Sequence, residues 1–364
     1  MSDQTNVSAA LFPVLSRLPG QSGPDPFPLS LEIGIMVAHA VATAVDLGLP
    51  DALGEEPTTL LALAETTHTH APSLSLLLRA LTGIGIFAEI DPQTHTFAHT
   101  ERSRLLRSTE MADLVRLWSA PYQWEAWQDM AYTIQTGKAA LEKRYGEGTT
   151  LWTYLTAIHP EESRTFQRGL VAVSNLVIPA ILDAYDFSAL RHLVDVGGGH
   201  GHLVLQVLGR YPEMRATLFD RVPIIEEVSR ELAELPAGVA QRFSAVAGDF
   251  FAAIPGGADC YVLKNVLMDW SDEEYVRILH NCRRAIGDLP GRILVIEPVI
   301  GDETPFTTFF SLHLAIMMRA AHHRTLAEHQ ALFAQAGFRL VRAEALGLEQ
   351  MLLEGRPGVK EDEQ

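Results

Sequence analysis

The chain has 364 residues, of which 47% are hydrophobic and 20% charged, with a formal net charge of −17; such a make-up is that of a folded protein of about two domains. The excess of carboxylates argues against a polyanionic partner, because nucleic-acid binding depends on Lys and Arg neutralising phosphates; it suits a cytoplasmic protein handling a small molecule or a cationic cofactor. No apolar run is expected to reach the roughly 20 residues that span a bilayer, the acidic N-terminus does not read as a secretory leader, and Cys260 and Cys282, on a strand and a helix, point to a reducing compartment.

Residues 1–28, rich in Pro, Gly and Ser, read as a loose arm, with Ala9-Ala10-Leu11-Phe12 able to dock on a partner. From Glu32 the spacing of Ile33, Val37, Ala40 and Ala44 predicts a helix that breaks at Leu47-Gly48-Leu49-Pro50. A second helix starts near Thr58, read as its N-cap, and a third runs through Leu74, Leu77, Leu78 and Leu81. Ile86–Ile90 and Thr96-Phe97, separated by Asp91-Pro92, form a hairpin. Three helices and a β wing over 29–107 make a winged-helix pattern, but few basic residues accompany it, so a DNA-binding reading is poor. Residues 108–185 continue as helices studded with Trp, Tyr and Phe. Most of these pack a core; Trp124, Trp127 and Phe166 are the candidates to wall a pocket for an aromatic substrate.

The remainder, 186–356, alternates strands near 193, 217, 243, 260 and 293 with helices, which is the pattern of a doubly wound α/β sheet. Two more strands close it near 338–345 and 349–354, and a polar tail follows over 357–364. Leu193-Val194-Asp195-Val196 reads as a buried strand ending in Gly197, Gly199 and Gly201, after which His202–Leu208 is an amphipathic helix. Glycine is needed there because a side chain would hold a ligand away from the N–H groups at the helix start. Asp220 ends the next strand, about 20 residues beyond the turn, where an acid is suited to ribose hydroxyls. Gly248-Asp249-Phe250 offers a carboxylate for an adenine amino group and a ring to lie against the base.

On LVDVGGGHG at 193–201, LFDRVPII at 218–225, AGDFF at 247–251, YVLKNVLMDWSDEE at 261–274, ILVIEPVI at 293–300 and HRTLAEHQALFAQAGF at 323–338, the chain resembles the S-adenosylmethionine-dependent O-methyltransferases of the caffeic-acid and hydroxyindole type. The resemblance covers roughly residues 30 to 355. It implies a class I methyltransferase sheet behind a mostly helical, winged-helix dimerisation domain, hence a homodimer acting on a small molecule of specialised metabolism, with neither nucleic acid nor membrane as partner. Its cofactor residues here are Ser174, Asp195 and the glycine turn for the methionine end, Asp220 and Arg221 for the ribose, and Gly248, Asp249 and Phe250 for adenine. Lys264 and Trp270 close the site, and Asn265 and His322 join the substrate pocket.

The chain departs from the family at 268. The usual His of a His-Asp-Trp run, general base for the phenol, is Met268 in Val266-Leu267-Met268-Asp269-Trp270. A thioether takes no proton, and base catalysis is typically worth about 10²–10⁴-fold. Glu297 and Glu328 map to the acids that flank the missing His, and His313, or else His322, is the expected replacement base. Methylation with S-adenosylhomocysteine as product is the leading reading. The alternatives are methylation at N or C, or a cofactor-binding enzyme that rearranges, cyclises or hydroxylates instead. Met268, His313 and His322 could together offer soft metal ligands, but their spacing matches no ligand motif, and no metal is expected.

Overall fold

The structure is a computed structural model that describes residues 27–231, 235–301, 305–318, 322–347 and 349–358. The expected arm with its Ala9–Phe12 segment, and most of the polar tail, lie outside the described residues. The chain divides into two compact units, one of residues 1–125 and 159–172, the other of 126–158 and 173–364. The helical stretch 108–185 is therefore shared between the two and is not a unit of its own.

In the first unit, helices Phe27–Asp46, Leu60–Thr66 and Ala71–Gly83 accompany a small antiparallel sheet of β1 (Thr58–Thr59), β2 (Phe87–Asp91) and β3 (Thr96–His99) in the order β1-β3-β2. The leucine spacing of the third helix drives Leu74, Leu78 and Leu81 into a core with Phe87 and Phe97 of the hairpin. The N-cap of the second helix is Thr59, whose hydroxyl accepts from Ala62 N, while Thr58 pairs with Phe97 in β1. The first helix buries Ala44 and Val45, but leaves Ile33, Ile35 and Met36 at 45%, 62% and 57% exposure. Ile33 therefore does not share the buried face that its spacing suggested.

The second unit is built on β4 (His192–Val196), β5 (Arg215–Asp220), β6 (Phe243–Ala247), β7 (Cys260–Lys264), β8 (Arg292–Ile300), β9 (Arg324–Thr325), β10 (Phe338–Gly347) and β11 (Gln350–Pro357). The sheet order is β10-β11-β8-β7-β4-β5-β6; β4 to β8 run parallel, and β11 and β10 close one edge antiparallel. Its two faces read directly from alternation along the strands. Leu193, Cys260, Val262, Leu294 and Ile296 pack with helix residues Ile178, Val204 and Val207, and Val194, Tyr261, Leu263, Ile293 and Val295 pack with Tyr275, Leu279 and Phe333. Both faces are covered, so each central strand is a continuous apolar run. The chain leaves β4 toward β5 on one side and reaches β7 on the other, which opens a crevice at the carboxyl ends of β4 and β7.

Contrary to the expectation that no apolar run is long enough, helix Pro160–Ala184, of 25 residues, has the length and composition to cross a membrane. Its charged residues gather mostly in its first half, leaving an apolar stretch behind them. Ile178 and Ile181 in that stretch are fully buried in the core of the second unit.

Candidate active site

At the end of β4 the chain turns through Gly197, Gly199 and Gly201, all with left-handed φ (70°, 59° and 76°). A Cβ on Gly198 would lie 2.5 Å from the Asp195 carboxyl and 2.6 Å from Leu218, and one on Gly197 3.0 Å from Val266. A side chain is thus excluded at Gly198 by space and at Gly197 by space and backbone together. Beneath it, the Asp195 carboxylate is 1% exposed and neither of its oxygens has a hydrogen-bond partner. Burial pushes its pKa well above the usual carboxylate range, with Lys264 opposing. An unpartnered buried carboxylate is costly and marks a place made for a cationic or donor group. The opposite requirement is met beside it, where Lys264 Nζ donates to Ser174 Oγ at 2.9 Å. Burial holds the Lys264 ammonium below its usual range. A carboxylate in need of a cation and an ammonium with a hydroxyl suit the amino and carboxylate groups of an amino-acid ligand.

Asp220 ends β5 and accepts from Gly199 N at 2.8 Å and from Arg221 N at 2.7 Å, which ties the second strand to the glycine turn. Arg221 lies over the Trp152 ring, 5.0 Å from its centroid. Past β6, a Cβ on Gly248 would meet Phe219 at 2.4 Å. Asp249 closes a tight turn by accepting from Phe251 N at 2.8 Å. Phe250, Phe251 and Trp270 then meet edge to face, with centroids 4.7 to 5.7 Å apart. Asn281 Nδ2 fixes the Phe250 carbonyl at 2.6 Å. Of the residues expected to bind adenine, Phe250 thus belongs to an aromatic cluster that also holds Trp270.

The turn after β7 carries the departure at 268. Asn265 has a left-handed φ of 54° and an amide oxygen without a partner, a strained position of the kind that collects at functional sites. Met268 is buried, and its backbone N–H donates to Glu297 Oε2 at 3.1 Å; its carbonyl accepts from His322 N at 3.0 Å. The structure thus brings Met268, Glu297 and His322 together. Under the turn lies a network absent from the sequence reading. Arg324, 1% exposed, donates to the Leu267 carbonyl at 3.2 Å, the Trp270 carbonyl at 2.7 Å and Asp272 at 2.8 Å, and lies 4.7 Å over the Tyr275 ring. Tyr275 Oη and His329 Nδ1 share a hydrogen bond of 2.9 Å, and His329 Nε2 stands 3.7 Å from Glu297 Oε1. Burial pushes Glu297 up to about 7 against the pull of Arg324, and drives His329 down to about 4. Asp269 is raised well above its usual range by burial and by the charge of Glu297.

Glu328 caps a helix. It accepts from Thr325 N at 2.7 Å and from Thr325 Oγ1 at 2.9 Å, closing the capping box of helix Leu326–Gln335. The Thr-x-x-Glu spacing carried that signal. His313, on helix Pro305–Met317, accepts at Nδ1 from Trp127 Nε1 at 3.2 Å, and burial drives its ring down to about 4. His322 Nε2 stands 3.8 Å from Asp272. Trp124 and Phe166 belong to the first unit, Trp124 stacked on His39 at 4.4 Å and Phe166 buried. Among the described residues no three of His, Cys, Asp and Glu gather as a metal site.

Residues 127–339 match the O-methyltransferase domain model and 29–109 the O-methyltransferase dimerisation domain model. The chain is 36% identical to the phenazine O-methyltransferase PhzM of Lysobacter antibioticus over 90% of its own length and 95% of that protein's. It is also 36% identical to the mitomycin biosynthesis 6-O-methyltransferase of Streptomyces lavendulae, over 85% and 88% of the two lengths. The crystal structure of LaPhzM superimposes with a TM-score of 0.82 at 35% identity, covering 91% of this chain and 98% of that one.

Arg324→Met removes the donors that hold the Leu267 and Trp270 carbonyls and leaves Glu297 facing no cation. Breaking a buried ionic network of this kind costs about 3–5 kcal/mol, and urea unfolding followed by tryptophan fluorescence is expected to show it.

Proposed function

The chain belongs to the O-methyltransferase family, and from that premise we propose that it transfers a methyl group from S-adenosylmethionine to a hydroxyl of an aromatic or polyketide-like small molecule in secondary metabolism. The observation that carries this reading at the level of residues is the unpartnered Asp195 carboxylate beneath a turn with no room for a side chain at Gly197 or Gly198. In this reading Asp195 takes the amino group of the cofactor, and Ser174 with Lys264 takes its carboxylate. Asp220 and Arg221 serve the ribose, and Asp249, Phe250 and Trp270 the adenine. When bound, the cofactor supplies a methyl group made electrophilic by a sulfonium.

The chain's own contribution is to hold an acceptor oxygen in line and to exclude water, which can supply several orders of magnitude without any base. Met268, Asn265, Trp127 and His313 border the acceptor in this account. Glu297 acts from below: it holds the Met268 backbone and thereby the turn that carries Asn265 and Trp270. The enzyme is read as a cytoplasmic homodimer joined through its N-terminal unit, with neither nucleic acid nor membrane as partner. The exposed Ile33, Ile35 and Met36 support that interface.

A second reading, favoured by Met268 alone, is that the fold keeps the cofactor without spending its methyl group. Incubation of the protein with S-adenosylmethionine and a panel of phenols, quinones and keto acids separates the two by mass spectrometry. Methylation predicts S-adenosylhomocysteine together with a product heavier by one methyl; a changed acceptor with intact cofactor contradicts it. Asp195→Asn is expected to weaken cofactor binding by about 10–100-fold, the worth of a hydrogen bond to a charged group, as read by calorimetry. Ile35→Asp combined with Met36→Asp is expected to turn the dimer into a monomer in light scattering without loss of helical circular dichroism.

A further inference from the structure

We propose that Asn281 is a positioning residue for adenine. From helix Asp272–Ile286 it fixes the turn that carries Asp249 and Phe250, and so sets how strictly the site selects the base of its cofactor. The inference rests on the preceding reading that Asp249 and Phe250 receive the adenine.

The turn after β6 is shaped by bonds of its own. Gly248 N donates to the Asp220 carbonyl at 2.9 Å, and the Asp249 carbonyl accepts from Ala252 N and Ala253 N at 2.9 and 3.0 Å. Asp249 Oδ1 accepts from Phe251 N at 2.8 Å. The Phe250 carbonyl is held from elsewhere, by Asn281, whose Nδ2 donates to it at 2.6 Å.

That carbonyl and the Phe251 N–H belong to one planar peptide group. Asn281 grips one end of this plane, and the Asp249 carboxylate accepts from the other. A hold on the Phe250 carbonyl is therefore a hold on the Asp249 carboxylate. The same residue carries the ring: Phe250 Cε1 lies 3.7 Å from where a Cβ on Gly197 would stand, which puts it against the glycine turn after β4.

An amide suits position 281 because it offers a donor and an acceptor on one short side chain. Asn281 is 5% exposed, and its Oδ1 accepts from Arg284 Nη2 at 2.6 Å. Arg284 is itself exposed and also reaches the Ala252 carbonyl at 3.4 Å. Arg277, one turn earlier, lies 5.2 Å from the Phe251 ring centroid. Residues 277, 281 and 284 follow i, i+4, i+7 spacing, so one face of the helix serves residues 250–252. A hydrogen bond weakens steeply with misalignment, whereas apolar contact with a ring tolerates it. Loss of Asn281 must then fall on the adenine amino group more than on the rest of the base.

The test is calorimetric titration of the full-length protein with S-adenosylhomocysteine and with its analogue carrying purine in place of adenine, which lacks only the amino group. The wild-type protein is expected to prefer the adenine ligand by about tenfold. In Asn281→Leu the adenine ligand is expected to bind about tenfold more weakly and the purine analogue almost unchanged, so that the preference collapses. An equal loss of both ligands, the result of a purely structural role, overturns the proposal. Arg284→Met, at an exposed position that a folded protein tolerates, is expected to narrow the same preference about threefold; an unchanged preference there also overturns it. A wild-type protein without any preference strikes down the assignment of adenine to Asp249, and this inference with it. A wild-type preference that survives in Asn281→Leu strikes down this inference alone.

Discussion

The hydrogen bond from the Met268 backbone to Glu297 is the constraint on which the acceptor end of the molecule depends. β7 delivers Lys264 to the crevice, and the chain must then turn sharply to present Asn265, Met268 and Trp270 on successive sides. Such a turn exposes peptide groups in a region closed to water. Glu297 satisfies one N–H, and Arg324 satisfies two carbonyls. Burying these charges is costly, and the cost is offset only because the network is nearly complete. A carboxylate at 297 is therefore explained by the backbone it holds, whatever side chain stands at 268.

That separation of roles explains how the base can be lost while the fold is kept. A His at 268 could share Glu297 with the turn; with a Met there, Glu297 is left to the Met268 N–H and to the buried Arg324 and His329. The cofactor end is built on another set of constraints: space at Gly197, Gly198 and Gly248, and an orphaned charge at Asp195. None of these involves the 268 side chain. The chain can thus bind its cofactor in the manner of its family while activating the acceptor by other means.

Much of this was legible in the sequence because it is local. Alternating apolar strands, glycine turns and leucine spacing mark the two units, and the strands near 193, 217, 243, 260 and 293 occur where the pattern puts them. Most of the residues expected to hold the cofactor stand out because they sit at strand ends, and the fold brings strand ends together. What was not legible needs three dimensions. Arg324 and His329 carry no spacing signal of burial, yet both are buried, Arg324 on β9 beside β8 and His329 on the helix that follows. Thr325-Leu326-Ala327-Glu328 could have been read as a capping box, but family position drew attention to Glu328 instead. The tautomer of His313 depends on Trp127, a residue far away in sequence. No spacing rule carries that information.

The most direct test of the whole account is a crystal structure with S-adenosylhomocysteine and a phenolic acceptor bound together. The account predicts the ligand's amino group on the Asp195 carboxylate, Glu297 still on the Met268 N–H, and the acceptor oxygen beside the Met268 thioether and facing the sulfur. A structure in which Glu297 or His322 has swung onto the acceptor oxygen, or in which Asp195 remains without a partner, would contradict it.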